Sequence, residues 1–177
     1  MKTIAPYIVL IFFLNSCVYH LGNPAMHPEL KNLAISEIDN LTSESALTAL
    51  FKNALSERIA NEPGLHLASP DSATAANLKL TMKNLDNRSL ARSKLREKDY
   101  RDYDGDAYQA VLYRISIKVE YEVYSSTVQG KLLRSGEVTG QADLPKLHDR
   151  EIALRTALRQ LAIDLAAELV AELSETR

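Results

Sequence analysis

The sequence predicts an α+β domain: a two-layer sandwich in which a four-stranded mixed sheet carries two helices on one face, in the order β-α-β-β-β-α. Three observations predict it. Val111, Tyr113, Ile115, Ile117, Val119, Tyr121 and Val123 alternate with Arg114, Ser116, Lys118, Glu120 and Glu122, the period-two pattern of a strand with one face in a core and one in water. Leu154, Leu158, Leu161, Leu165, Leu169 and Leu173 recur at helical spacing, which marks a helix with one apolar stripe. Strands with one apolar face and helices with one stripe are satisfied together when both helices cover the same side of the sheet, leaving the other side polar.

The elements follow in order. Lys2 precedes an apolar run from Tyr7 to Leu14, and Leu14-Asn15-Ser16-Cys17 closes it. The run is shorter than the about 20 apolar residues a spanning helix needs, so residues 1–16 are expected to be a lipoprotein signal peptide, removed on export. Cys17, the one cysteine of the chain, then becomes the first mature residue, with a diacylglycerol on its thioether and a further acyl chain such as palmitate on its amine. Each buried methylene contributes about 0.8 kcal/mol and a single myristoyl chain holds only marginally, so three chains make a durable anchor. The alternative is an ordinary secretory signal with an incidental cysteine. Val18 stands where an Asp would mark inner-membrane retention in enterobacteria, so the expected location is the outer membrane.

Residues 17–29, with Gly22-Asn23-Pro24 and Pro28 and no apolar period, read as an extended tether after the acylated cysteine. Residues 30–177 read as a single domain, large enough for one core without staples. Within it Leu33 to Ile38 is a short strand closed by Asp39-Asn40. Thr42 or Ser43 can then cap a helix whose stripe is Leu47, Leu50, Phe51, Ala54, Leu55 and Ile59, ended by Asn61, Pro63 and Gly64. Leu78 to Met82 alternates as a second strand. The long strand follows, then a Gln129-Gly130 turn, a return strand from Leu132 to Thr139, and a helix from Asp149 to Leu173, roughly 37 Å long.

Chemistry is sparse. The chain holds 21 Lys and Arg against 23 Asp and Glu, a net charge of −2, so nothing suggests nucleic acid held by net charge. With Cys17 acylated, no thiol remains for a disulfide, a redox couple or a thiolate metal site. His20, His27, His66 and His148 are scattered, with no pair at the spacing of a helical metal site. No serine sits in a glycine-flanked elbow, and there is no phosphate-binding glycine loop. Asp102, Asp104 and Asp106 lack the later glutamate of a calcium loop and read as a solvated turn. The expectation is a non-enzymatic protein with no metal and no cofactor.

One segment stands apart. Between Leu85 and Ala107, read as a loop joining two strands, lie Arg88, Arg92, Lys94, Arg96, Lys98 and Arg101, with Tyr100 and Tyr103 among them. Guanidinium groups chelate phosphate oxygens in pairs, so Arg88, Arg92, Lys94, Arg96 and Lys98 are candidate contacts for the phosphates of a glycolipid. The rival reading is a solvated connection whose charges neutralise one another.

Cys17-Val18-Tyr19-His20-Leu21-Gly22 is similar to the Cys-Gly-Tyr-His/Gln-Leu opening of a known family, and Leu33-Ala34-Ile35 with Ile38-Asp39-Asn40-Leu41-Thr42 is similar to its first strand and Asn-x-Thr turn. With the Leu47 to Ile59 helix and the element order, the chain resembles the LptE family of outer-membrane lipopolysaccharide-assembly lipoproteins from lipobox to last helix. It departs at Val18, where Gly is usual, and at Ala76-Asn77, where Ala-Asp commonly opens the second strand. The resemblance implies a non-enzymatic protein that plugs the β-barrel LptD, assists its assembly and takes part in lipopolysaccharide delivery to the outer leaflet. A rival is a periplasm-facing lipoprotein subunit of another envelope or secretion complex, told apart by the partner that copurifies.

The anchor is testable directly. Cys17→Ser should abolish labelling by radioactive palmitate and leave an unprocessed precursor, because serine offers no thiol to receive the diacylglycerol; intact labelling would refute the lipoprotein reading.

Overall fold

The computed structural model of the protein describes residues 28–94, 108–128, 130–146 and 149–174. The expected signal peptide (residues 1–16), Cys17, Arg96, Lys98 and the Asp102 to Asp106 run lie outside them. After a turn of 3-10 helix at Pro28–Leu30 come β1 (Asn32–Asn40), α1 (Ala46–Ala60), β2 (His66–Leu67), β3 (Ala76–Lys94), β4 (Tyr108–Tyr124), β5 (Leu132–Pro145) and α2 (Arg150–Ser174). The sheet runs β2-β1-β3-β4-β5, with β1 parallel to both neighbours and β3, β4 and β5 forming an antiparallel meander. The α+β class and the mixed sheet are as expected, but the sheet has five strands, not four. The extra strand is two residues long, too short to alternate. It exists because the chain leaving α1 returns beside β1, where the His66 amide donates to the Lys31 carbonyl at 2.7 Å and the Ala68 amide to that of Leu33 at 2.8 Å.

One buried cluster joins the layers. Leu33, Leu78, Leu80, Ile117, Val119 and Tyr121 meet Phe51, Leu55 and Ile59 of α1 and Leu161, Leu165 and Leu169 of α2 in it. α1 packs against α2 and touches β1 and β2, while α2 lies along β5. Gly140 makes that last contact possible, since a Cβ there would overlap the Leu165 side chain and sit 3.2 Å from its backbone nitrogen. Gly136 lies under the ring of Tyr121, its cross-strand partner, and a Cβ there would come within 2.7 Å of the phenolic oxygen. The outer edge of β5 is partly closed by α2, whose Asp164 carboxylate accepts the Gln141 amide at 2.9 Å; an unguarded edge is a template for pairing with other chains.

Three expectations change in detail. Val111 is exposed rather than in the core, because the buried cluster on the long strand stops at Tyr113. β3 continues through Lys94, so the basic segment to that point is strand, not loop: β4 pairs with it along the whole length. Finally, neither Thr42 nor Ser43 caps α1, which starts after Ser45 with no side-chain cap bond. Thr42 instead works in the preceding turn, where its amide and hydroxyl donate to Asn40 Oδ1 at 2.9 and 2.7 Å and its Oγ1 accepts the Glu44 amide. The other helix is capped by the residue before it, with the Ile152 amide donating to Asp149 Oδ1 at 3.1 Å.

Gly140→Ala should therefore destabilise the fold by about 1–3 kcal/mol, the usual cost of forcing a methyl group into a packed core. Gly64→Ala, where an added Cβ meets nothing within 4 Å, should be close to neutral. Urea unfolding measures both; equal effects would mean that α2 is not seated this close to β5.

Candidate functional site

The outer face of the sheet is a lattice of cross-strand ion pairs. Lys79 Nζ lies 3.0 Å from Glu37 and 3.8 Å from Asp39, Lys118 Nζ 2.7 Å from Glu137 and Arg114 Nε 2.8 Å from Asp143; Lys83 pairs with Glu120. Register explains the arrangement. Glu120 stands directly opposite Glu137, a like-charge contact that would weaken a sheet, and Lys83 and Lys118 each draw one of the two carboxylates aside. Hydrogen bonds and charge act together on the ionised forms: Glu37 raises the pKa of Lys79, Glu137 raises that of Lys118, and the Arg114 hydrogen bond holds Asp143 below the usual carboxylate value. All these pairs are solvent-exposed, so each contributes little to stability; together they leave a polar, nearly self-neutralised surface.

At the β3–β4 hairpin the balance changes. Between Met82 and Leu85 the register of β3 against β4 shifts, and a shift of one residue exchanges the faces of a strand. Leu78, Leu80 and Met82 are buried before it; after it Asn87 and Ser89 pair with Ile115 and Tyr113, and Arg88 falls directly opposite Arg114. Asp143 holds Arg114, but among the described residues Arg88 and Arg92 have no ion-pair partner. Lys94 closes the strand opposite Tyr108. Arg88, Arg92 and Lys94 are thus brought onto one projecting ribbon, while Arg96 and Lys98 lie outside the described residues.

Two cations that the sequence pattern does not flag join this end. The Lys146 amide donates to the Val111 carbonyl at 2.9 Å, extending the β4–β5 ladder, and α2 begins at Arg150. With Asn87, Tyr113, Leu144 and Pro145 they line a cavity of about 340 Å³. The signal for them is weak: a lysine after a strand and an arginine opening a helix reach Asn87 and Tyr113 only when β5 folds back along β4. Apolar side chains are exposed at the same end, Leu90 at 43%, Val111 at 38%, Tyr108 at 57% and Ile152 at 62%. Basic and apolar groups thus share one end. Among the described residues, no His, Cys, Asp and Glu cluster is placed to hold a metal, and no helix is long and apolar enough to cross a membrane.

Residues 30–173 match the family model described as LptE, lipopolysaccharide-assembly. None of the curated proteins matches the chain. Among solved structures, it is similar to a minor lipoprotein from Acinetobacter baumannii at 14% identity and TM-score 0.44, covering 82% of this chain and 91% of that one. It is also similar to the rare lipoprotein B from Shewanella oneidensis at 15% identity and TM-score 0.42, covering 78% and 93%.

The outer-face pairs give a pH expectation. Asp143 is favoured in its ionised form when folded, so its small stabilisation is present above the unfolded value of about 3.9 and is lost as pH falls through the lower folded value. Carboxyl NMR titration should place the Asp143 midpoint below that of free Asp, and Arg114→Ala should return it to the ordinary range.

Proposed function

This chain belongs to the LptE family of lipopolysaccharide-assembly proteins, and from that premise we propose that it is an outer-membrane lipoprotein that plugs and helps to assemble an LptD-type β-barrel and takes part in lipopolysaccharide delivery to the outer leaflet. The anchor is Cys17, and the domain faces the periplasm or the barrel lumen. The observation that supports this reading best is the outer sheet face. The interior of an outer-membrane barrel is polar, and a plug for it needs a surface that is hydrated yet has little net charge of its own, as the paired Lys79, Lys83, Arg114 and Lys118 provide. The helices and one buried core give the rigidity of a wedge. The role is non-enzymatic: the domain supports a barrel and touches its cargo through the basic ribbon. Arg88, Arg92 and Lys94, with Arg96 and Lys98 beyond them, are the candidate contacts for lipid A phosphates.

Purification through a C-terminal tag in mild detergent should bring down a heat-modifiable β-barrel. Recovery of a different envelope or secretion complex without a barrel would overturn the reading. Arg88→Glu with Arg92→Glu should weaken lipopolysaccharide binding in vitro, with a difference from the parent that shrinks as salt rises, because screened attraction is its cause. Barrel association should persist in that variant, since the core is untouched.

A further inference from the structure

The end of the sheet opposite the basic ribbon carries an apolar edge of its own, where β4 turns into β5. The turn is closed by backbone and side chain alike. The Ser125 amide donates to the Lys131 carbonyl at 2.9 Å and the Lys131 amide to that of Val128 at 3.0 Å, while Ser125 Oγ accepts the amides of Thr127 and Val128 at 3.2 and 3.3 Å. Gly130 takes the positive φ of the bend, 76°. Turns ordinarily hold Gly, Pro, Asn, Asp or Ser, yet this one presents Val128, 55% exposed, and Leu132 follows it at 47%, with exposed Lys131 between them. Lys131 has no ion-pair partner among the described residues. Leu132 also lines a cavity with Glu29 and Leu30, so this apolar edge adjoins the first described element.

That adjacency identifies what the edge meets. Ten residues, 18–27, separate Cys17 from Pro28, and even fully extended they span no more than about 35 Å, so acyl chains on Cys17 keep this end of the domain close to the leaflet they occupy. We propose that this end docks the domain on that leaflet: Val128 and Leu132 enter the acyl region, and the Lys131 ammonium rests at the level of the headgroup phosphates. A stable protein interface buries about 1,200 Å² or more, far beyond what two side chains on a turn offer. A leaflet already held by the anchor demands no such area, because tethering presents it at an effective concentration of roughly millimolar, where a weak contact suffices. The proposal rests on reading Cys17 as acylated, and it adds an orientation to that reading. The domain stands with its β4–β5 turn on the leaflet and its β3–β4 ribbon pointing away.

The test is fluorescence quenching in the full chain, which contains no tryptophan. Val128→Trp supplies a single reporter, and Leu41→Trp, exposed just past the far end of β1, supplies the reference. The protein is reconstituted in vesicles of phosphatidylethanolamine and phosphatidylglycerol, with and without bromine on the acyl chains. Brominated chains should quench the reporter at 128 and aqueous iodide should not; at 41 the order should be reversed. Adding Leu132→Asp should return the reporter at 128 to iodide, because a carboxylate resists entry into the acyl region. Ile163→Asp, on the comparably exposed surface of α2, should leave it in the lipid. A reporter at 128 as open to iodide as the one at 41 would overturn the docking. So would one shielded from iodide and bromine alike, the sign of burial against protein such as a second copy, or one that stays in the lipid with Leu132→Asp. The mass of the Cys17 peptide is scored in the same preparations. An acylated chain with its 128 reporter in water refutes this inference alone; a chain without acyl groups whose 128 reporter is still quenched by bromine refutes the anchor and leaves the docking surface standing; and a chain with neither refutes both.

Discussion

The pairing of β4 with β3 on one side and β5 on the other is the constraint from which the rest of the molecule follows. Ile115, Ile117, Val119, Tyr121 and Val123 are buried because every second residue of a strand faces the same way, and slipping the register by one would exchange them for Arg114, Ser116, Lys118, Glu120 and Glu122. The same register sets the ion pairs, since Arg114 meets Asp143 only when those two residues stand opposite each other. It also seats the far helix, because Gly140, opposite Ile117, offers Leu165 a place to approach the backbone. Core, polar face and helix contact are three results of one alignment.

Much of this is legible in the residues themselves. The alternation from Tyr113 to Val123 and the leucine stripe of α2 show which face of each element is buried, so the α+β class and the mixed sheet follow from patterning. The short strand β2 is not legible, because His66 and Leu67 carry no period and are recruited by backbone bonds to the start of β1. The basic segment misleads for a related reason. Arg88, Arg92 and Lys94 lie in a strand that extends past the buried core, where no apolar face is needed, and a strand without burial loses the pattern by which strands are recognised. Thr42 misleads differently: threonine oxygens serve turns and helix caps alike, and the helix start beyond Ser45 decides between them.

The candidate surface is partly legible in the same way. Arg88 and Arg92 are conspicuous as a run of basic residues, but the irregularity between Met82 and Leu85 decides which face they occupy, and no local signal reports it. Lys146 and Arg150 are conspicuous nowhere in the chain and meet Asn87 and Tyr113 only through folding. The division of charge that results is physical rather than compositional. With a net charge of only −2, the protein neutralises its broad face through cross-strand pairs, while Arg88, Arg92, Lys146 and Arg150 gather at one end without an ion-pair partner among the described residues.

The parallel seating of β1 has a mechanical meaning. Pro28–Leu30, the first described element, passes at once into β1, which lies between β2 and β3 and runs parallel to both. Tension applied at that point acts along the strand, while the ladder bonds holding it lie across the strand direction. Such bonds are loaded in shear and must yield together, whereas an edge strand pulled from its corner would peel one bond at a time. A domain joined to a surface through this end therefore transmits force into its centre, and its grip on that leash is set by the whole length of β1 rather than by the first bond in line.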